Sequence, residues 1–238
     1  MLENTMILQN QMEMNQSTYE AEKIKNLGKK LTRGYVLSNI SVFLRKRTED
    51  EIAKRFYEEF PDLEACLCLK EEQEDGCTLS CLFDREFLEL MEIPEEEAWK
   101  LAMEHVHDDT RIENFGQLMS RMFPNEVLEE AEEIAMYIVT NHSCNRGASG
   151  ILDRTRMEEF AREHNTKTIM AIPSSIHEMI LLPHPEFFNI DIVTRTIQTV
   201  NAETVALKDQ LGDHPYIFLR IKSRREGAGA ASGRLGEK

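Results

Sequence analysis

The chain lacks any long run of apolar residues, although 41% of its 238 residues are hydrophobic. A membrane-spanning helix needs about 20 consecutive, mostly apolar residues, and no stretch approaches that length. Residues 1–4 also lack the basic flank and the apolar centre of a secretion signal. The sequence therefore predicts a cytoplasmic protein.

Positive charge is scarce, because 28 Lys and Arg residues stand against 43 Asp and Glu residues, which gives a formal net charge of −15. Proteins that bind nucleic acids usually meet the phosphate backbone with clustered lysine and arginine. The charge balance therefore argues against DNA or RNA as a partner. It also disfavours adhesion to anionic membranes, so we predict neither nucleic acid nor membrane as a partner.

The cysteines give little support for disulfides or for a metal site. Five cysteines are an odd number in a chain too large to need disulfide staples, so we predict reduced thiols. Four of them lie near one predicted hairpin and could in principle surround zinc. However, Cys66 and Cys68 share one face of a strand that is predicted to lie in the core, and their spacing differs from that of common zinc knuckles. We therefore predict no metal and no cofactor.

Strand patterns occur in hairpin pairs, and helical patterns separate these pairs. This order predicts an α+β fold with a hairpin-built antiparallel or mixed sheet packed with helices, and not a doubly wound parallel sheet. Helices are predicted to begin near Asp84 and Pro94 and to cover residues 111–122, 155–161 and 190–200. Strands are predicted at residues 63–69, 78–83, 134–139, 147–152, 167–172, 176–182 and 216–221.

Composition shifts along the chain predict four segments. Residues 1–17 are rich in Asn, Gln and Met without an apolar period, and residues after 222 are rich in Gly, Ala and Ser, so both ends are predicted to be disordered tails. Between them we predict a basic helical arm over residues 18–47 and a main α+β domain over residues 48–222. Thr48 and Glu51 have the spacing of a capping box, which predicts that this domain starts with a helix.

The most distinctive segment is residues 172–183, which read IPSSIHEMILLP and place two hydroxyls, an imidazole and a carboxylate next to an apolar strand. If the segment is extended, Ser175 and His177 point to one face while Ser174 and Glu178 point to the other. A hydrolytic triad would then need a further group from elsewhere in the fold. The alternative is a turn whose hydroxyls bond to local backbone, with His177 and Glu178 fastening the strand to a neighbour.

A second small, polar loop covers residues 140–150 and contains Asn141. Its backbone amides could face an anion or another ligand. It lacks the lysine and hydroxyl pair of a P-loop and the glycine spacing of a dinucleotide-binding motif. A hairpin turn with glycine at positive φ is the simpler interpretation.

Three segments together carry a family resemblance: residues 136–141 (MYIVTN) with Gly147 and Ala148, residues 172–183, and residues 200–205 (VNAETV). In order and spacing they resemble a bacterial family known as domain of unknown function 5688. The resemblance covers about residues 35 to 222 and implies an origin in Firmicutes, with this chain matching the C-terminal part of a longer family architecture. The family brings no assigned activity, catalytic residues or cofactor.

Two hypotheses for function follow. The first is a non-enzymatic accessory or regulatory protein that binds a protein or a small ligand. Its binding face would display a set of five polar residues: Asn141, Ser174, Ser175, His177 and Glu178. The alternative is a hydrolase-like enzyme in which Ser174 or Ser175 is the nucleophile and His177, beside Glu178, is the base.

Overall fold

A computed structural model describes residues 31–72, 78–122 and 135–218 of the chain. Within these residues, α-helices combine with two antiparallel sheets, which confirms the predicted α+β class. The predicted disordered tails, residues 1–17 and 223–238, lie outside the described residues. In the described part of the chain, every helix is too short or too polar to cross a membrane.

Helices and strands are interspersed along the described chain. In chain order they are α1 (Arg33–Asn39), β1 (Ile40–Lys46), β2 (Lys54–Tyr57), β3 (Phe60–Glu72), β4 (Thr78–Leu82), α2 (Arg85–Leu90), α3 (Glu95–Asp109), β5 (Thr110–Asn114), α4 (Phe115–Met122), β6 (Tyr137–Asn141), α5 (Arg154–Glu163), β7 (Ile169–Pro173), β8 (Met179–Leu182), α6 (Ile190–Glu203) and β9 (Tyr216–Phe218). One sheet has the order β1-β3-β2 with β4 paired to β3, and the other has the order β5-β6-β8-β7-β9. Short 3-10 helices occur at Gly147–Leu152, Pro185–Phe187 and Leu207–Asp209.

The described residues fall into two compact units, one of which comprises 31–41, 51–53, 67–72 and 78–102. In this unit β3 pairs antiparallel with β4, with Leu69 opposite Cys81, as the sequence predicts. The carboxylate of Asp84 caps α2 by accepting a hydrogen bond from the Phe87 backbone N–H at 2.7 Å, also as predicted. The unit buries a set of apolar side chains that includes Val36, Leu67, Leu69, Leu88, Trp99 and Ala102.

The other unit comprises residues 42–50, 54–66, 103–122 and 135–218, and its centre is the five-stranded sheet. Every pairing in that sheet is antiparallel. Burying one large aliphatic or aromatic side chain contributes about 1.5–3 kcal/mol, so the buried set on this sheet and on α5 stabilises both. The set includes Val139, Met157, Phe160, Ile169, Met170, Met179 and Leu181.

The prediction of a helical arm over residues 18–47 is wrong at its C-terminal end. Residues 33–39 form α1, but Ile40–Lys46 form strand β1. Burial alternates along that strand, with Ile40, Val42 and Leu44 buried, which is the period of a strand and not of a helix. Residues 18–30 lie outside the described part.

The helix predicted from the capping box at Thr48 is also wrong, because β2 and β3 form an antiparallel hairpin there. The Thr48 hydroxyl donates to Glu64 Oε1 at 3.0 Å and accepts from Arg45 Nη2 at 2.9 Å. Its side chain is therefore engaged in an ion-pair cluster instead of a helix N-terminus.

Two further elements differ from prediction. Residues 147–152, predicted as a strand, form a buried 3-10 helix. A Cβ at Gly150 would lie 3.0 Å from both Thr110 Oγ1 and Val139 Cγ2, so a side chain here would press on β5 and β6. The helix predicted over residues 111–122 is half right, because residues 110–114 form β5 and only Phe115–Met122 form α4.

Candidate functional site

The predicted site segment forms the connection of a hairpin between β7 and β8. Pro173 lies opposite Met179 in this pair, so residues 174–178 form a tight loop. The Ser175 backbone N–H donates to the Glu178 carbonyl at 3.2 Å and closes it. The loop, not an extended strand, therefore sets the directions of the four polar side chains.

Both serine hydroxyls converge on one carboxylate. Ser174 Oγ donates to Glu178 Oε1 at 2.9 Å, and Ser175 Oγ donates to the same oxygen at 3.0 Å. Ser175 Oγ also accepts from the His177 backbone N–H at 3.1 Å, which is the local turn interaction predicted for it. The expected separation of Ser174 and Ser175 onto opposite faces is wrong, because it assumed extended backbone.

The His177 imidazole contacts the second predicted loop. Its Nδ1 accepts a hydrogen bond from the Arg146 backbone N–H at 3.1 Å, so the ring proton lies on Nε2. The His177 carbonyl accepts from the Gly147 N–H at 3.0 Å and from Thr140 Oγ1 at 2.8 Å. Nε2 lies 3.9 Å from Asp209 Oδ1.

Asn141, at the start of the loop that contains Arg146, bonds to the backbone of the same loop. Its Oδ1 accepts from the Asn145 N–H at 3.1 Å, and its Nδ2 donates to the Asn145 carbonyl at 2.8 Å. The expected glycine at positive φ is wrong: Cys144 (φ 50°) and Arg146 (φ 55°) take the left-handed conformation instead. Gly147 is needed for close approach, since a Cβ there would lie 2.6 Å from Thr140 Oγ1.

We call Asn141, Ser174, Ser175, His177 and Glu178 the polar clamp, because Asn141 and His177 bond to residues 145–147 while the other three close the β7–β8 loop that carries His177. A nucleophile–base pair requires a hydrogen bond from the hydroxyl to the imidazole. Within the described residues, both clamp hydroxyls donate to Glu178 and the imidazole Nδ1 accepts from a backbone amide. In this arrangement neither clamp hydroxyl is hydrogen-bonded to the His177 imidazole.

A cleft of about 950 Å³ lies beside α5, and its lining includes none of the clamp residues. This volume is at the upper end of the range of about 300–1,000 Å³ that is typical of ligand sites. We call it the polar cleft. It is lined by Thr110, Ile112, Glu113 and Asn114 from β5, Gln117, Ser120 and Arg121 from α4, Tyr137 from β6, and Arg156, Glu159, Phe160, Glu163 and His164 at α5.

Three rings form the floor of the polar cleft. Tyr137 meets Phe160 edge to face, with ring centroids 5.0 Å apart, and His164 lies 4.4 Å from Tyr137 and 4.5 Å from Phe160. Burial lowers the pKa of His164, which favours the neutral ring at pH 7. The floor is therefore an uncharged aromatic surface on which a planar or apolar group can pack.

The rim of the polar cleft carries charges of both signs. Glu113 pairs with Arg111 and with Arg121, the latter at 2.5 Å, so the two arginines share one carboxylate. Arg156 is different, because its Nε is buried without a hydrogen-bond partner in the described structure. Glu159 Oε2 lies 3.9 Å from Nη1, which is an ion-pair distance but is beyond hydrogen-bonding distance.

The clamp and the cleft are linked by consecutive residues. The clamp holds residues 145–147, the buried 3-10 helix at Gly147–Leu152 follows, and Asp153 then caps α5 by accepting from the Arg156 backbone N–H at 3.1 Å. Since α5 provides Arg156, Glu159, Phe160 and Glu163, the clamp fixes the start of the segment that forms one side of the cleft. The sequence singled out the clamp residues as a binding face, which stays a prediction, and it did not indicate the cleft.

The cysteines of the described part are free thiols in two environments. Cys66 and Cys68 are buried, whereas Cys81 and Cys144 are exposed. Burial raises the pKa of the Cys66 thiol from 9.0 to about 11, so it stays protonated at neutral pH. Among the described residues, no three His, Cys, Asp or Glu side chains are grouped so that they could hold a metal ion. Cys77 lies outside these residues.

Comparison with known proteins identifies one family. The model of the family described as "Family of unknown function (DUF5688)" matches residues 5–220, which is more of the chain than the resemblance in the sequence covers. No curated protein and no solved structure matches the chain. The Firmicutes origin and the C-terminal placement within a longer family architecture stay predictions.

Proposed function

We propose that this chain, which belongs to the DUF5688 family, is a non-enzymatic accessory or regulatory protein that binds a small polar ligand in the polar cleft. The observation that carries the proposal is the cleft itself, about 950 Å³ in volume, with an aromatic floor and a charged rim. Ligand sites typically combine apolar surface with a few polar groups that fix orientation. The cleft has both.

In this proposal the clamp residues position the binding site and do not touch the ligand. Their hydrogen bonds fix the loop that leads through the 3-10 helix into α5, so they hold one side of the cleft in place. The hydrolase alternative requires Ser174 or Ser175 to be free to attack. The bonds of both hydroxyls to Glu178 support binding over hydrolysis.

A matched pair of tryptophan variants tests the proposal. Glu159→Trp places a large ring in the polar cleft, whereas Arg162→Trp places the same ring on an exposed part of α5 outside it. A library of small polar compounds is screened by thermal shift against the wild-type protein. The compounds that raise its melting temperature should lose that effect with Glu159→Trp and keep it with Arg162→Trp.

The opposite pattern would contradict the proposal, as would equal effects of the two variants. Labelling with a serine-directed fluorophosphonate gives a second readout. We expect no labelling of the native protein at Ser174 or Ser175, because neither hydroxyl has an imidazole base beside it. Labelling that disappears with Ser174→Ala or Ser175→Ala would favour the hydrolase instead.

A further inference from the structure

We infer that the ligand of the polar cleft is a short peptide with a free carboxylate and a free ammonium group. This inference rests on the proposed function and names the chemical class of its ligand. It is carried by three features of the cleft: an arginine at one end of α5 whose Nε has no hydrogen-bond partner in the described structure, carboxylates further along the same helix face, and aromatic rings beneath them.

Arg156 is the arginine in position to hold a carboxylate. Its Nε is a buried donor without a hydrogen-bond partner in the described structure, and a buried polar group in that state indicates a missing acceptor. The side chain is 39% exposed, so the rest of the guanidinium reaches the cleft. Arginine binds carboxylates through two parallel hydrogen bonds, and the exposed part of the Arg156 guanidinium can donate them to a ligand carboxylate in the cleft. Arg121 is less suited to this role, because Glu113 already pairs with it.

Glu159 and Glu163 supply the negative charge for an ammonium group. Glu159 follows Arg156 by three residues, and Glu163 follows Glu159 by four, so all three side chains lie on one face of α5. At 1.5 Å per residue, Arg156 and Glu163 are about 10 Å apart along the helix axis. An extended chain spans about 3.3–3.6 Å per residue, so about three residues separate a carboxylate at Arg156 from an ammonium at Glu163.

The aromatic floor accommodates the side chain in the middle of such a peptide. Tyr137 and His164 are half-buried cleft residues whose rings lie 4.4 Å apart. Aromatic pairs of this kind pack against a further ring or an aliphatic chain. A tripeptide with an apolar central residue matches the order of charge, apolar surface and opposite charge along the cleft.

The probe is the tripeptide alanyl-phenylalanyl-alanine, together with its C-terminal amide and its N-acetyl form, in titration calorimetry. We expect the unblocked peptide to bind the wild-type protein and either blocked form to bind at least about tenfold more weakly, since each loses a charge-assisted contact. Arg156→Gln should weaken binding of the unblocked peptide by the same factor and leave binding of the amide unchanged. Glu163→Gln should weaken binding of the unblocked peptide by that factor and leave binding of the N-acetyl form unchanged.

Arg154→Gln is the matched control, because Arg154 lies on the same helix outside the polar cleft and bonds to Glu158 at 2.9 Å. It should leave the affinity unchanged. Equal binding of free and amidated peptide, no effect of Arg156→Gln, or no peptide binding at millimolar concentration would overturn the inference. If the peptides do not bind, but another polar compound binds the wild-type protein and not Glu159→Trp, only the ligand class is wrong. If no compound loses its binding with Glu159→Trp, the proposed function itself is wrong.

Discussion

Glu64 shows at the residue scale how a buried charge organises its surroundings. Its side chain is fully buried, and Arg45 approaches its Oε1 at 2.8 Å and Lys54 its Oε2 at 3.2 Å. Burial alone would raise the pKa of Glu64, but the ion pair with Lys54 and the hydrogen bonds from Thr48 and Arg45 outweigh it and lower the pKa. A buried carboxylate is tolerated when its partners surround it in this way.

Asp50 belongs to the same cluster and gives a prediction for pH dependence. Partial burial would raise its pKa, but hydrogen bonds from Arg45 and Thr48 outweigh it and lower the pKa from 3.8 to about 2. Because the pKa is lower in the folded state, its contribution to stability is present above about pH 4 and is lost as the pH falls towards 2. We expect the unfolding free energy of the Asp50→Asn variant to fall less than that of the wild-type protein when the pH is lowered from 4 to 2.

Urea denaturation at a series of pH values measures this effect. The wild-type protein should lose more unfolding free energy between pH 4 and pH 2 than the Asp50→Asn variant does. Identical pH profiles for the two proteins would show that the Arg45 contact does not stabilise the ionised Asp50 in solution.

The helix predicted at Thr48 is absent because the partner of its hydroxyl is distant in the chain. Thr48 and Glu51 have the spacing of a helix cap, yet the Thr48 hydroxyl donates a hydrogen bond to Glu64, a residue 16 positions later. Such a contact depends on the pairing of distant segments, which the local pattern does not contain. By contrast, Asp84 caps α2 as predicted because both partners of that bond lie within one turn.

At the element scale, Gly147 sets how closely the loop after β6 can approach that strand. A Cβ at this position would lie 2.6 Å from Thr140 Oγ1 and closer still to the Asn141 backbone N. Gly147→Ala should therefore destabilise the protein by about 1–3 kcal/mol, as overpacking typically does. Gly34→Ala is the control, since nothing lies within 4 Å of a Cβ there.

Chemical denaturation and hydrogen exchange report on this prediction together. Gly147→Ala should lower the unfolding free energy and speed exchange of the Arg146 and Gly147 amides, which bond to His177. Gly34→Ala should be neutral or stabilising, because alanine favours the helix α1 in which it lies. A Gly147→Ala variant as stable as the wild-type protein would contradict the packing observed at this loop.

Hairpins and amphipathic helices were the elements that the sequence predicted well. The β3–β4 and β7–β8 pairs and the helices α2, α5 and α6 follow directly from local alternation and capping. The 3-10 helix at Gly147–Leu152 was missed, because its small buried residues resemble a strand and its conformation is set by contacts with β5 and β6. Local pattern does not encode such packing.

At the scale of the whole molecule, the polar cleft explains why the candidate site was only partly predictable. The clamp residues Ser174, Ser175, His177 and Glu178 are neighbours in sequence and were readily noticed. The residues that line the cleft come from β5, α4, β6 and α5. The first and the last of them, Thr110 and His164, are 54 positions apart in the sequence. Of this set the sequence predicted only a helix over residues 155–161, and its local pattern did not indicate what the polar face of that helix contacts.

Backbone amide chemical-shift mapping on the full chain, with the polar compound that gives the largest thermal shift, shows where the ligand binds. We expect the largest shifts at residues 110–121 and 156–164, and small changes at residues 141–147 and 174–178. Shifts centred on residues 141–147 and 174–178 instead would contradict this expectation, because the clamp would then be the binding surface and not the support behind it.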